Sequence, residues 1–148
     1  MRSHILLGLV IAALASPSNA SEKLRKVVWL TTTSQVTKRD LEAARSAVGR
    51  SEFQYFKLDE TKKILTYFEN QFPKELLNRS DKEKNEYLAK NIHPRIKAYA
   101  ADMMRSDMGV VLAKMYRLDR LPAVVINDKY ITYGVSVEDS ISAFKASR

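Results

Sequence analysis

Apolar positions along the chain alternate between short strand-like blocks and longer helical stripes. "VVWL" (Val27 to Leu30) is a continuous apolar run, β-branched at its start, and predicts a buried strand. The polar "TTTSQVTKR" behind it predicts a loop. Leu41, Ala44 and Val48 then recur at helical spacing. Thr37, with Asp40 three residues on, forms a capping box ahead of that helix, and Gly49 suits its end. "FQYFKL" (Phe53 to Leu58) predicts a second strand, with Phe53, Tyr55 and Lys57 on one face and Gln54, Phe56 and Leu58 on the other. Ile64, Leu65, Phe68 and Phe72 predict a second helix, with Asp59 as N-cap and Pro73 closing it.

The second half opens with a long helical region. Ser80 and Glu83 form another capping box. Leu88, Ile92, Ile96, Tyr99 and Met103 follow as one continuous apolar face. Pro94 lies inside it, so a kink or break is expected at His93–Pro94. The pattern runs on through Val111, Leu112 and Met115. Met103 and Met115 are expected in the core, while Met104 and Met108 could equally sit on an adaptable surface. "AVVI" (Ala123 to Ile126) predicts a central strand, "NDK" a tight left-handed turn, and "YITY" the return strand. Val137 to Ala146 form a last helix.

The start of the chain changes how much of it counts as domain. Arg2 and His4 precede the unbroken apolar run "ILLGLVIAALA", then "SPSNA". This is the layout of a secretory signal peptide, with cleavage expected near Ala20. Eleven apolar residues fall short of the roughly 20 a spanning helix needs. A periplasmic location is therefore expected, with residues 1–20 removed, residues 21–148 forming one domain, and no stable membrane insertion. That compartment favours disulfides, yet the chain has no cysteine. Stability must come from an apolar core. The formal charge is +8, or +7 once Arg2 leaves with the signal. The cations are scattered and form no long run.

The order of elements is β-α-β, a helical crossover, then β-β-α. This α/β order resembles the thioredoxin-like fold, with an added helical lobe at about 80–116. The stretch "LPAVV" places Pro122 where that fold carries a cis-proline ahead of its third core strand, and the resemblance implies a cis bond there. The redox dithiol of that fold follows the first strand. Here the position reads "TTTS", Thr31 to Ser34. Hydroxyls are not ionised near neutral pH, and disulfide exchange requires a thiolate, so thiol chemistry is excluded.

Other chemistry finds little support. His93 is the single histidine behind the signal, and it reads as a helix-break residue rather than a base or a metal ligand. No nucleophile-elbow motif and no Gly-rich phosphate loop occurs. Asp102 and Asp107 lack a spacing that suggests acid–base work. No catalytic residue, cofactor or metal ligand is assigned, and no enzymatic activity is expected.

The chain behind the signal also resembles a group of small exported proteins encoded in integrating conjugative elements, among genes for a type IV secretion machine. The matching segments are "VVWLTT", "KLDE" and, most specifically, "LPAVVINDKYITYGVSVEDSISAF". The resemblance implies a periplasmic accessory role in conjugative transfer and, the family's activity being undefined, carries over no catalytic residues; a non-enzymatic role is expected from the residues. A protein partner such as a pilus or secretion-channel component is expected, held in a groove of Thr32, Thr33, Leu121, Pro122 and Ala123. The alternative is nucleic-acid binding through a basic face that includes Lys62, Lys63, Lys82, Lys84 and Arg95.

Overall fold

The structure is a computed structural model that describes residues 22–147. The expected signal peptide and its cleavage point near Ala20 lie outside the described residues. At the centre is β1 (Lys26–Thr31), buried on both faces from Val27 to Thr31. It pairs in parallel with β2 (Glu52–Lys57) and antiparallel with β3 (Ala123–Ile126). β4 (Tyr130–Tyr133) continues antiparallel, giving the order β2-β1-β3-β4.

Alternation along β1 feeds two cores. Val27 and Trp29 point toward α1 (Lys38–Val48) and α6 (Val137–Ala146), where Ala44, Val48, Ile141 and Phe144 complete a large cluster. Val28 and Leu30 point the other way, onto Phe56, Val125 and the end of a long helix, α5 (Ala100–Met115). A strand covered on both faces needs continuous apolar sequence, which is what "VVWL" supplies.

Local signals fold as their residue types dictate. The Thr37–Asp40 and Ser80–Glu83 capping boxes both form. Gly49 ends α1 at φ 64°, a backbone region open to glycine. The β3–β4 turn places Asn127 and Asp128 at φ 52° and 60°. The Asn127 side chain then ties the start of β1 to this turn. Its Oδ1 accepts from the N–H of Arg25 (2.9 Å) and Lys26 (3.1 Å), and its amide donates to the Lys23 carbonyl (2.9 Å). The Leu121–Pro122 peptide bond, just ahead of β3, is cis.

The crossover departs from the sequence pattern in three places. First, α2 (Glu60–Glu69) stops before Pro73, which instead precedes a 3₁₀ turn at Lys74–Leu76. Second, the irregularity expected at His93–Pro94 falls just ahead of it, and it is a π-turn rather than a break: regular α3 (Asp81–Tyr87) ends before it. A π-helical turn, Leu88–Ile92, leads directly into α4 (His93–Lys97). The His93 N–H bonds to the Leu88 carbonyl, five residues back, and Pro94 falls in the first turn of α4. The π-turn directly ahead of it is where the regular helical bonding pattern is interrupted to take the proline. The chain turns later, at Ala98–Tyr99, so the expected continuous face ends at Tyr99 and Met103 belongs to α5.

Third, α5 packs through its small residues. Ser106 is fully buried, and Gly109 is buried against Phe56. Met115, expected in the core, is 69% exposed, and Val111 is 51% exposed. The reason is the closeness of approach: a Cβ built on Gly109 would lie 2.6 Å from the Phe56 Cβ. Only a small-residue face can come that near the sheet. Among the described residues, no helix is long and apolar enough to cross a membrane.

Candidate functional site

The carboxyl end of β1 and the proline loop before β3 meet at one end of the sheet. β1 ends at Thr31, fully buried, whose carbonyl accepts from the Leu58 N–H at 2.9 Å. The chain then turns tightly, with the Gln35 N–H donating to the Thr32 carbonyl at 3.1 Å. The Gln35 side chain folds back over this turn. Its Oε1 accepts from the Thr32 N–H (3.2 Å) and hydroxyl (3.0 Å). Its Nε2 donates to the Leu121 carbonyl at 3.3 Å. Gln35 thereby joins the loop after β1 to the proline loop, 86 residues away.

Thr33 turns the opposite way. Its N–H and its hydroxyl each donate to the Asp59 carboxylate at 2.8 Å. Lys63 completes the cluster, 3.2 Å from Asp59 Oδ2 and in contact with the Thr33 hydroxyl. Burial pushes the Asp59 carboxyl up, but the Thr33 and Lys63 hydrogen bonds outweigh it and hold the group below the usual carboxylate range. Asp59 stands at the N-cap position of α2 as expected, and its carbonyl accepts from the Lys63 N–H at 3.0 Å, but its carboxylate is taken up by the loop. Its backbone is already helical, at φ −96° and ψ 0°, and it makes no side-chain cap bond. The carboxylate clamps the β1 loop instead.

The five residues expected to form one groove are thus divided. Thr32 and Leu121 come together through Gln35. Pro122 borders a cavity of about 250 Å³ with Trp29, Gln35 and the first turn of α6. Thr33 borders a separate cavity of about 260 Å³ with Lys63, Tyr67 and Tyr99. Ala123 borders neither: it is fully buried in β3 between Leu30 and Tyr133, so its side chain cannot face a partner. The Leu121 side chain packs on the second core.

Sequence reading missed Gln35 and Trp29 here. Gln35 lay in a polar loop, and the available signal was its place three residues after Thr32, the spacing of a closed turn. Trp29 read as an ordinary strand residue. In the fold it is 5% exposed, borders the proline cavity, and its indole N–H has no partner among the described residues.

A larger concavity of about 730 Å³ runs along the outer edge of β2 and includes none of the five expected groove residues. Arg45, Lys57 and Arg105 border it, with no acidic side chain among its lining residues. The basic residues named from the sequence are otherwise engaged in part. Lys63 pairs with Asp59, Lys84 with Asp81, and Arg95 lies over the Phe68 ring at 5.1 Å. Among the described residues, no group of three or more His, Cys, Asp or Glu side chains is placed to hold a metal ion.

Comparison with known families matches residues 41–148 to one described as "Protein of unknown function (DUF1525)". No curated protein and no solved structure matches the chain.

Proposed function

The chain belongs to the DUF1525 family of proteins of unknown function, and from that premise we propose that it is a periplasmic, non-enzymatic partner-binding or assembly module of a conjugative transfer (type IV secretion) system. Its domain is read as thioredoxin-like. The strand order β2-β1-β3-β4, the parallel β1–β2 pair and the proline loop ahead of β3 support that reading.

The observation that carries the proposal is the Gln35 bridge. It holds the loop after β1 against the Leu121 carbonyl at the rim of the Pro122 cavity. In this reading an extended segment of a pilus or secretion-channel subunit lies across that rim. Backbone amides and the Gln35 side chain would pair with it, and the cavity would take one side chain. No bond is made or broken, because the loop offers Thr32 and Ser34 hydroxyls where a redox relative would carry thiols.

Mating assays test this. Pro122→Ala and Thr32→Ala changes are expected to lower transfer while the protein accumulates normally. Undiminished transfer at normal protein levels rejects the proline-loop surface. A second reading, binding of an anionic polymer such as single-stranded nucleic acid, is favoured by one feature: Arg45, Lys57 and Arg105 border one concavity beside β2, although Lys57 is paired with Glu60 at 3.3 Å. A binding titration at several salt concentrations separates the two, since phosphate contacts give a steep salt slope.

A further inference from the structure

α5 is apolar on two faces, and the fold covers one of them. Ser106, Gly109 and Ala113 turn inward. On the opposite side Met104, Met108, Val111 and Met115 are 73%, 54%, 51% and 69% exposed. Their spacings are four, three and four residues, so they fall within an arc of about 60° on the helix. Bulky residues outside and small ones inside invert the usual amphipathic helix. Four large apolar side chains in one stripe also exceed the scattered exposure normal for a monomer's surface.

The stripe is self-complementary. A 4-3-4 spacing reads the same in both directions, so two antiparallel copies of α5 would set Met104 against Met115 and Met108 against Val111. The charges beside the stripe fit the same arrangement. Asp107 and Lys114 flank it on one side, and the antiparallel register brings each next to the other residue in the second copy. We propose that the outer face of α5 is the interface of a two-fold symmetric dimer, formed with a second copy of this chain through an antiparallel pair of α5 helices.

One 16-residue helix contributes less than the roughly 800 Å² per partner of a standard stable interface. The dimer is therefore weak, with dissociation in the micromolar range or above. Methionine suits such a contact, because its unbranched thioether adapts to an irregular partner surface.

Because the chain has no cysteine, disulfide trapping reads the geometry directly. Met104→Cys and Met115→Cys proteins, mixed and oxidised, are expected to cross-link to each other. Neither should cross-link to itself. In the antiparallel pair, two copies of residue 104 lie about 16 Å apart along the axis, beyond the 4.4–6.8 Å Cα separation a disulfide spans. Analytical ultracentrifugation of the parent between about 10 and 500 µM, a range set by the expected weakness, should show a dimer. Met108→Lys should shift dissociation at least tenfold toward monomer with unchanged circular dichroism. A parent that stays monomeric throughout overturns the proposal. So does selective 104–104 cross-linking, or a Met108→Lys protein that dimerises as the parent does.

Discussion

Thr33 donates two hydrogen bonds to Asp59, one from its backbone and one from its hydroxyl, each 2.8 Å long. The pair spans 26 residues and fixes the loop after β1 to the start of α2. A carboxylate whose side chain is 27% exposed gains substantially from two such bonds.

Asp59→Asn should therefore lower stability by about 1–2 kcal/mol at pH 7, a fall of roughly 3–10 °C in melting temperature. The sign of the pH dependence follows from the lowered folded-state pKa. The ionised form stabilises the fold fully above the unfolded carboxylate value of about 3.9, and the contribution is lost as pH falls through the lower folded value. Melting curves of parent and variant should converge in that acid range. A constant gap down to strong acid would show that the carboxylate charge is not what matters.

Gly109→Ala should destabilise the protein although alanine is the better helix former. Propensity favours the change by about 1 kcal/mol. The new Cβ, however, would meet the Phe56 Cβ at 2.6 Å, and that neighbour is held by the core. Overpacking of this kind costs about 1–3 kcal/mol, so a net loss is expected in urea unfolding. A gain in stability would mean that α5 shifts away from β2 with little resistance.

Asn127 serves the fold twice, through its left-handed backbone and through its amide. Asn127→Gly should keep the turn and lose the side-chain bonds to Arg25, Lys26 and Lys23, costing about 1–3 kcal/mol. Asn127→Ala should cost roughly 1 kcal/mol more, because alanine resists positive φ. Thermal denaturation of both variants checks the ordering. Equal losses would remove the backbone share.

Gln35→Glu tests the bridge across the proline loop. The change replaces the donor facing the Leu121 carbonyl with an acceptor, which parts the two loops. The site is exposed, so the stability loss should stay under about 1 kcal/mol. If the rim of the Pro122 cavity receives a partner, transfer in mating assays should fall as far as with Pro122→Ala. Parent-level transfer would set Gln35 outside the functional surface.

What could be read along the chain were features whose causes are neighbours in sequence. The Thr37–Asp40 and Ser80–Glu83 boxes join residues three apart. The left-handed Asn127–Asp128 turn depends on two side chains that tolerate that backbone, and the buried β1 and β3 on unbroken apolar runs. Tertiary packing decided the rest. Asp59 had the residue type of an N-cap, but packing brought Thr33 within reach and drew the carboxylate away. Gln35 looked like loop filler until the fold set the Leu121 carbonyl beside it. Ala123 read as groove and lies in the sheet interior, because a third strand pairs on both sides. On α5 the apolar residues were plain in the sequence, but periodicity does not say which of two apolar faces meets the core. The close approach of Phe56 selected Gly109 and Ser106 for the interior and left Met104, Met108 and Met115 outside.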